Sequence, residues 1–149
     1  MYPGSLDPII ALFENLPDDE KRSLLITYAE STAACEPKDG ETFDLEDTRK
    51  DEECTDTVGI FLRLDENGGS HFRVTLGPQV QTLTKAMTSI LCKGLDGATP
   101  QEILDCPSDF VPKIIGAELV RQRSQTVYYV LSRMKGTAKV YLARQRASS

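Results

Sequence analysis

The sequence contains one histidine, no tryptophan and few other aromatic residues, and none of its four cysteines forms a C-x-x-C pair. The single histidine, His71, falls at an outward-facing strand position and would have to be the base of any catalytic triad. The cysteines match no structural zinc spacing; they are Cys35, Cys54, Cys92 and Cys106. These absences argue against a hydrolytic triad and against a zinc-stabilised fold.

Membrane, phosphate-binding and metal-binding signatures are missing as well. No apolar run approaches the roughly 20 residues needed to span a bilayer, so no membrane partner is expected. No glycine motif that cradles phosphate occurs, and the carboxylates of residues 36–56 lack the ordered spacing of a calcium loop. The start, "MYPGSLDP", does not resemble a signal peptide. We therefore expect a cytoplasmic protein with free thiols, or an organellar one if a transit peptide was removed.

Charge is unevenly distributed along the 149 residues, although the net charge is only −6. Residues 1–66 carry 18 acidic and 6 basic side chains, whereas residues 67–149 carry 5 acidic and 11 basic ones. An acidic first half argues against nucleic acid as a partner. The basic C-terminal end is typical of a solvated helix face; its residues are Arg133, Lys135, Lys139, Arg144 and Arg146.

Two helices are predicted at the N-terminus. Asp7 is the expected N-cap of the first helix, with Pro8 at its first position, and the helix runs to about residue 15. The second helix, "PDDEKRSLLITYAEST", has three acidic residues in its first turn, where the helix dipole favours negative charge. Residues 35–56 are predicted to form a long acidic loop, with a short edge strand around Thr42–Leu45.

The rest of the chain is predicted to form a β-hairpin and four helical segments, the third of which is the short piece "PSDFVPKII". Apolar and other residues alternate from Val58 to Leu64, "DENGGS" is turn chemistry, and a second strand follows. Helix resumes at "PQVQTLTKAMTSILCKGL", "TPQEIL" is a capping box, and a terminal helix is expected from about Glu118 to Arg144. The order of elements predicts a single α+β domain over residues 1–149, with helices on one face of a small antiparallel three-stranded sheet.

Among the thiols, Cys54 has the most distinctive surroundings. Cys92 lies off the apolar stripe of its helix, Cys35 ends the second helix, and Cys106 precedes a proline at a predicted helix start, where the dipole could lower a thiol pKa. Each of these three is interpreted as a small, inert filler. Cys54 lies instead in a polar, acidic loop directly before the sheet. This position suits a sulfur that is presented to another macromolecule.

Four stretches carry a family resemblance: "FENLPDDEKRSLLITYAE", "ECTDTVGIFL", "LTKAMTSILCKGLDGATPQEIL" and "DFVPKIIGAELVRQRSQTVYYVLSRM". Over about residues 10–135 they resemble the SufE/CsdE family, sulfur acceptors that work with cysteine desulfurases and share a fold with IscU. Cys54 and Val58 match a motif that reads roughly G-C-x-S-x-V in the family. Arg123 matches the arginine of the closing motif L-S-P-S-R-x-N-G.

The resemblance implies a persulfide carrier. A desulfurase (SufS/CsdA type) uses its pyridoxal phosphate to take sulfur from cysteine, and a thiolate on the acceptor then attacks the outer sulfur of its persulfide. Cys54 would be that catalytic thiol, in a protein that needs no cofactor of its own and stimulates the desulfurase. A downstream sulfur acceptor or cluster scaffold would receive the sulfur. We expect a monomer or weak dimer.

The charges around Cys54 predict a slow nucleophile in the free protein. Glu53 stands where the family has glycine and Asp56 where it has serine, and both carboxylates disfavour a thiolate. Arg49, Lys50 and Arg123 are the candidate cations that offset them. We therefore expect a basic cleft on the partner to attract this loop and to activate the thiol.

Two other functions stay open at the level of sequence. The substitutions at Glu53 and Asp56 are compatible with a non-catalytic interaction module that keeps the fold and the partner surface. A cluster scaffold like IscU would instead use Cys35, Cys54 and Cys92 as ligands for iron–sulfur or zinc, although the aspartate and histidine neighbours usual for such ligands are not evident.

Overall fold

The computed structural model of the protein describes residues 2–48 and 57–148. Helices α1 (Leu6–Glu14) and α2 (Asp18–Ala29) and a 3-10 helix (Thr32–Cys35) precede the strands β1 (Leu45–Thr48), β2 (Val58–Leu64) and β3 (Ser70–Leu76). Five helices follow: α3 (Thr82–Gly94), α4 (Pro100–Asp105), α5 (Val111–Ile115), α6 (Ala117–Gln122) and α7 (Ser124–Ser148). Within this part of the chain, no helix combines the length and apolarity that crossing a bilayer requires.

The three strands form one antiparallel sheet in the order β1-β2-β3. Val58 lies opposite Leu76 in the hairpin, and Leu45 lies opposite Leu62 at the other side of β2. The hairpin agrees with the predicted one. The edge strand exists, but it spans residues 45–48 rather than 42–45, because the burial of Leu45 against the sheet sets its register.

One face of the sheet packs against the helices. On β2, Val58, Ile60 and Leu62 are fully buried, and Phe72 and Val74 of β3 are at most 3% exposed. Helices α3 and α7 cover this face and contribute much of the core. The α+β class with helices on one face of a three-stranded sheet is therefore confirmed.

Helix α1 begins two residues earlier than predicted. Its N-cap is Ser5 rather than Asp7, and the Leu6 backbone N–H donates to the carbonyl of Pro3 at 2.9 Å. Leu6 is fully buried, and a Cβ atom added at Gly94 would lie 2.6 Å from its Cδ1 atom. The close approach of Leu6 to a glycine of α3 draws the start of α1 into the core.

The predicted terminal helix is interrupted at Arg123, which has φ −131° and ψ 34°. Within the described chain, α6 buries none of its residues, whereas α7 buries a continuous stripe that includes Val127 and Leu131. Helix α6 packs on α5, while α7 packs on α3 and α4. A straight helix could not reach both sets of partners, so the chain turns at Arg123.

Candidate functional site

The predicted catalytic thiol, Cys54, and the two nearby cations, Arg49 and Lys50, lie outside the described residues. The structure describes the chain on both sides of them. Thr48 ends β1 and lies opposite Gly59, the second residue of β2. The described residues before and after the Cys54 segment therefore lie at the same end of the sheet.

Val58, a predicted supporting residue, is part of the core at this end. Its side chain is fully buried, and it pairs with Leu76 at the open end of the hairpin, opposite the turn. The carbonyl of the preceding residue, Thr57, accepts a hydrogen bond of 2.8 Å from the N–H of Gly77. Val58 thus anchors the sheet directly after the Cys54 segment, and its role there is positional.

Arg123 lies on the surface beside the start of α3. Its Nη1 atom is 3.4 Å from Oε1 of Gln81, which is a long hydrogen bond. Gln81 is the N-cap residue of α3 and follows Gly77 by four positions. Val58 and Arg123 therefore lie near the two ends of one short connection, and the structure brings these two predicted residues to the same region.

A groove of about 560 Å³ lies next to Arg123, between α2, α3 and α6. Its lining is mainly apolar, and Ile26, which is 47% exposed, is one of its walls. Two guanidinium groups, those of Arg22 and Arg123, also line it. The two cations favour the ionised form of a thiol or persulfide placed there, whereas the apolar part of the lining opposes it by desolvation.

Sequence reasoning missed an ion pair that holds the end of β1. Arg133 was predicted on a solvated basic face, but only 6% of its surface is exposed. Its Nε donates to the carboxylate of Asp47 at 3.1 Å, its Nη2 to the Asp47 carbonyl at 2.8 Å, and its Nη1 to the Tyr129 hydroxyl at 2.9 Å. Val130 and Thr137 are buried on the same face of the helix, three residues before and four residues after Arg133. This spacing was the sequence signal that Arg133 is buried as well. The contact fixes β1 one residue before Thr48.

Cys106 is buried, as expected for a small filler, but its place relative to the helix differs from the predicted one. It is the C-cap of α4 rather than the start of a helix, and it is 1% exposed. Burial raises the pKa of its thiol, so the proposed lowering by a helix dipole is wrong. Cys106 is a core residue.

Cys35 and Cys92, by contrast, lie together. Cys35 is 4% exposed at the end of the 3-10 helix, and Cys92 is partly exposed on α3. A hydrogen bond from the Cys92 thiol, together with Ser89, Lys93 and Arg73, outweighs the effect of burial and lowers the pKa of Cys35 to about 7. The same hydrogen bond, and then burial, raise the pKa of Cys92. The two thiols therefore have opposite pKa shifts.

His71 is bound by two carboxylates rather than left facing solvent. Its Nδ1 atom is 2.7 Å from Asp96 and its Nε2 atom 2.8 Å from Asp65. Burial alone would lower its pKa, but the two carboxylates outweigh burial and raise it.

Within residues 2–48 and 57–148, no group of three or more histidine, cysteine, aspartate or glutamate side chains is arranged to hold a metal ion.

Comparisons with known proteins point to one family and one fold. The family model described as "SufE: Fe-S metabolism associated domain" matches residues 7–138. The solution structure of a hypothetical protein from Thermus thermophilus is similar at a TM-score of 0.71 and 23% identity, covering 96% of this chain and 99% of that chain. The N-terminal part of a nitrogen-fixing NifU-like protein from Brucella abortus is similar at a TM-score of 0.57 and 16% identity, covering 77% and 89%. Among curated proteins, none matches the sequence significantly.

Proposed function

The chain belongs to the SufE family of Fe-S metabolism associated domains, and on that basis we propose that it accepts sulfur from a cysteine desulfurase on Cys54. The sulfur then passes to a downstream acceptor or a cluster scaffold. The observation that carries the proposal is the family match, which extends over residues 7–138 and includes the Cys54 segment.

The proposed reaction is a thiol–persulfide exchange. The Cys54 thiol loses its proton, and the thiolate attacks the outer sulfur of the desulfurase persulfide. The sulfur–sulfur bond on the desulfurase breaks, and the desulfurase cysteine leaves as a thiolate. Cys54 now carries the persulfide, and the zero-valent sulfur has moved without any external oxidant or reductant.

The groove beside Arg123 supports the proposal. A persulfide is anionic near neutral pH, and two arginines beside an apolar surface would favour that charge while limiting access of water. We assign to Arg123 the role of stabilising sulfur on Cys54, with Arg49 and Lys50 as additional cations of the same segment. The described chain on either side of the segment, at Thr48 and Val58, lies at the sheet end from which residues 77–81 lead to Gln81 and Arg123.

The acidic residues around Cys54 give the partner a role in activation. Glu53 and Asp56 disfavour the thiolate in the free protein. A basic cleft on the desulfurase would attract the segment and raise the thiolate fraction when the two proteins meet. Faster removal of sulfur from the desulfurase then stimulates its turnover.

Intact mass measurement tests the site directly. The protein is mixed with a cysteine desulfurase and L-cysteine, and a mass gain of one sulfur is expected for the wild type and for Cys106→Ser, in which a buried cysteine is replaced. The gain should vanish in Cys54→Ser. Sulfur carried by another cysteine in that variant would reject the assignment. Binding of the desulfurase without sulfur uptake by the wild type would favour a non-catalytic interaction module.

A further inference from the structure

A second cavity, of about 450 Å³, lies between the 3-10 helix, the hairpin and the C-terminal half of α3. Both Cys35 and Cys92 line it, together with the basic side chains of Arg63, Arg73 and Lys93. Its volume falls within the range of about 300–1,000 Å³ that is usual for small-molecule sites.

We propose that Cys35 and Cys92 form a redox-active dithiol site that reduces a small anionic disulfide. The site shares no described residue with the groove beside Arg123. It also does not depend on Cys54, so it is independent of the proposed sulfur-carrier function.

The two thiols have different electrostatic environments. The Cys92 thiol donates a hydrogen bond to the Cys35 sulfur, which favours the thiolate of Cys35 and keeps Cys92 protonated. Cys35 is therefore the attacking group, because the thiolate is the nucleophile in disulfide exchange. Cys92 is the resolving group, because it stays protonated and lines the same cavity as Cys35.

Two further side chains are arranged around Cys35. The hydroxyl of Ser89 is fully buried and has no hydrogen-bond partner in the described part of the chain, and its proximity lowers the pKa of Cys35. Arg73 donates to the carbonyl of Ala34, the residue before Cys35, at 3.2 Å and is itself held by Glu41 at 3.1 Å. Ser89 and Arg73 are positioning residues for the thiolate.

The charges that face the cavity favour an anionic substrate. Arg63, Arg73 and Lys93 contribute three positive charges, and Asp96 contributes one negative charge. Outside the lining, Glu41 pairs with Arg73, and Asp65 shares His71 with Asp96. Among the residues that line the cavity, the basic side chains therefore outnumber the one carboxylate. Disulfides that carry carboxylates are the chemical class that fits this field.

The reaction balances in two exchange steps. The Cys35 thiolate attacks one sulfur of the disulfide, forms a mixed disulfide and releases the first half as a thiolate. Cys92 then loses its proton and attacks the Cys35 sulfur, which releases the second half. The two cysteines are oxidised to one disulfide by two electrons, and the substrate is reduced to two thiols.

Oxidised glutathione is a suitable probe, used with the full-length Cys54→Ser/Cys106→Ser variant so that only Cys35 and Cys92 remain. Intact mass should show the loss of two hydrogens with no bound glutathione. Adding Cys92→Ser should trap one glutathione on Cys35, and adding Cys35→Ser should slow the reaction at least tenfold. Far-UV circular dichroism and the urea midpoint verify that each variant is folded.

Opposite results would overturn the proposal. These are equal reaction rates in the two single-thiol variants, adducts on both cysteines without an internal disulfide, or no reaction in the folded parent variant. Each of these results leaves sulfur transfer to Cys54 unaffected, because Cys54 is absent from these proteins.

The pH profile separates an activated thiolate from an ordinary cysteine. The rate of the parent variant, which keeps both Cys35 and Cys92, should rise with a midpoint near 7, whereas an unperturbed thiol has a pKa of about 8.5. Ser89→Ala should slow the reaction several-fold at neutral pH and move the midpoint upward. Ser70→Ala removes the other fully buried, unpartnered hydroxyl of the described chain and should leave the profile unchanged. Identical profiles for the two serine variants would contradict the role of Ser89.

Discussion

Arg123 and Arg133 are the same residue type in opposite environments. Arg133 is buried and donates to a carboxylate, a carbonyl and a hydroxyl, which satisfies its fork of N–H groups. Arg123 is exposed, and the structure gives its guanidinium one long hydrogen bond, to Gln81. Arg123 is therefore suited to bind an incoming anion, whereas the N–H groups of Arg133 already donate hydrogen bonds within the fold.

The Arg123→Gln variant should therefore lose function without losing stability. We expect sulfur transfer to slow about tenfold, which corresponds to one charge-assisted interaction of about 1.4 kcal/mol, while the urea midpoint stays unchanged. Single-turnover transfer from a persulfide-loaded desulfurase measures the rate. Arg121→Gln is the matched control, because Arg121 is exposed on α6 and pairs only across the surface with Glu118. Equal rates for the two variants would remove Arg123 from the proposed mechanism.

His71 predicts a pH-dependent stability. Its pKa is raised in the folded protein, so its contribution is fully present below the unfolded pKa of about 6.5 and is lost as pH rises through the higher folded value. The pKa of Asp65 is lowered, chiefly by His71, so that carboxylate contributes above its ordinary pKa and loses its contribution as pH falls.

The His71→Gln variant should consequently be less stable than the wild type at mildly acid pH, with a smaller difference at alkaline pH. Urea unfolding at about pH 5.5 and about pH 8.5, on either side of the titration of histidine, measures both differences. A stability difference that is independent of pH would mean that His71 acts through packing alone.

For the helices and strands, the features that depend on local sequence were predicted well, and the features that depend on tertiary contacts were not. The hairpin follows from alternation and turn residues, and the capping box of α4 pairs Thr99 and Glu102 as the sequence indicates. The break at Arg123 and the register of β1 depend on which distant elements they contact, and a local pattern does not contain that information. The assignment of Cys54 as the sulfur-binding residue comes from resemblance and stays a prediction.

The contact between α7 and β1 can be tested through Arg133. Arg133→Met removes hydrogen bonds to Asp47 and leaves a partly buried carboxylate without them, so we expect a loss of about 3 kcal/mol in the free energy of unfolding. Arg121→Met, at an exposed ion pair, should cost less than about 1 kcal/mol. Urea denaturation measures both variants, and similar losses would show that burial of the Arg133 pair has no special effect.

Over the whole molecule, the two ends of the sheet are built differently. At the hairpin turn, Ser70 exchanges two backbone hydrogen bonds with Gly97 and Ala98, and a Cβ atom at Gly69 would lie 2.9 Å from the Gly97 carbonyl oxygen. The other end holds the Cys54 segment between β1 and β2. Cys35 and Cys92 are distant in sequence, and only the fold of the whole molecule brings them to one cavity.

The uneven charge predicts how desulfurase binding responds to salt. With a net charge of −12 in residues 1–66, affinity should fall several-fold when sodium chloride rises from about 0.05 to about 0.5 M, because added ions screen attraction to a basic partner. Glu46→Gln, on the exposed face of β1, should reduce this dependence. Lys139→Gln, at an exposed position of α7, should leave the dependence unchanged. Calorimetric titration measures both, and binding that is insensitive to salt would exclude electrostatic attraction.

The bond between Arg133 and Asp47 has a mechanical consequence. A pulling force applied to the C-terminal helix would reach the edge strand through two parallel hydrogen bonds of one guanidinium. Bonds loaded in parallel must break together, which makes them resist shear more than the same bonds broken one after the other. The edge strand β1 should therefore stay attached to α7 under tension until both hydrogen bonds break together.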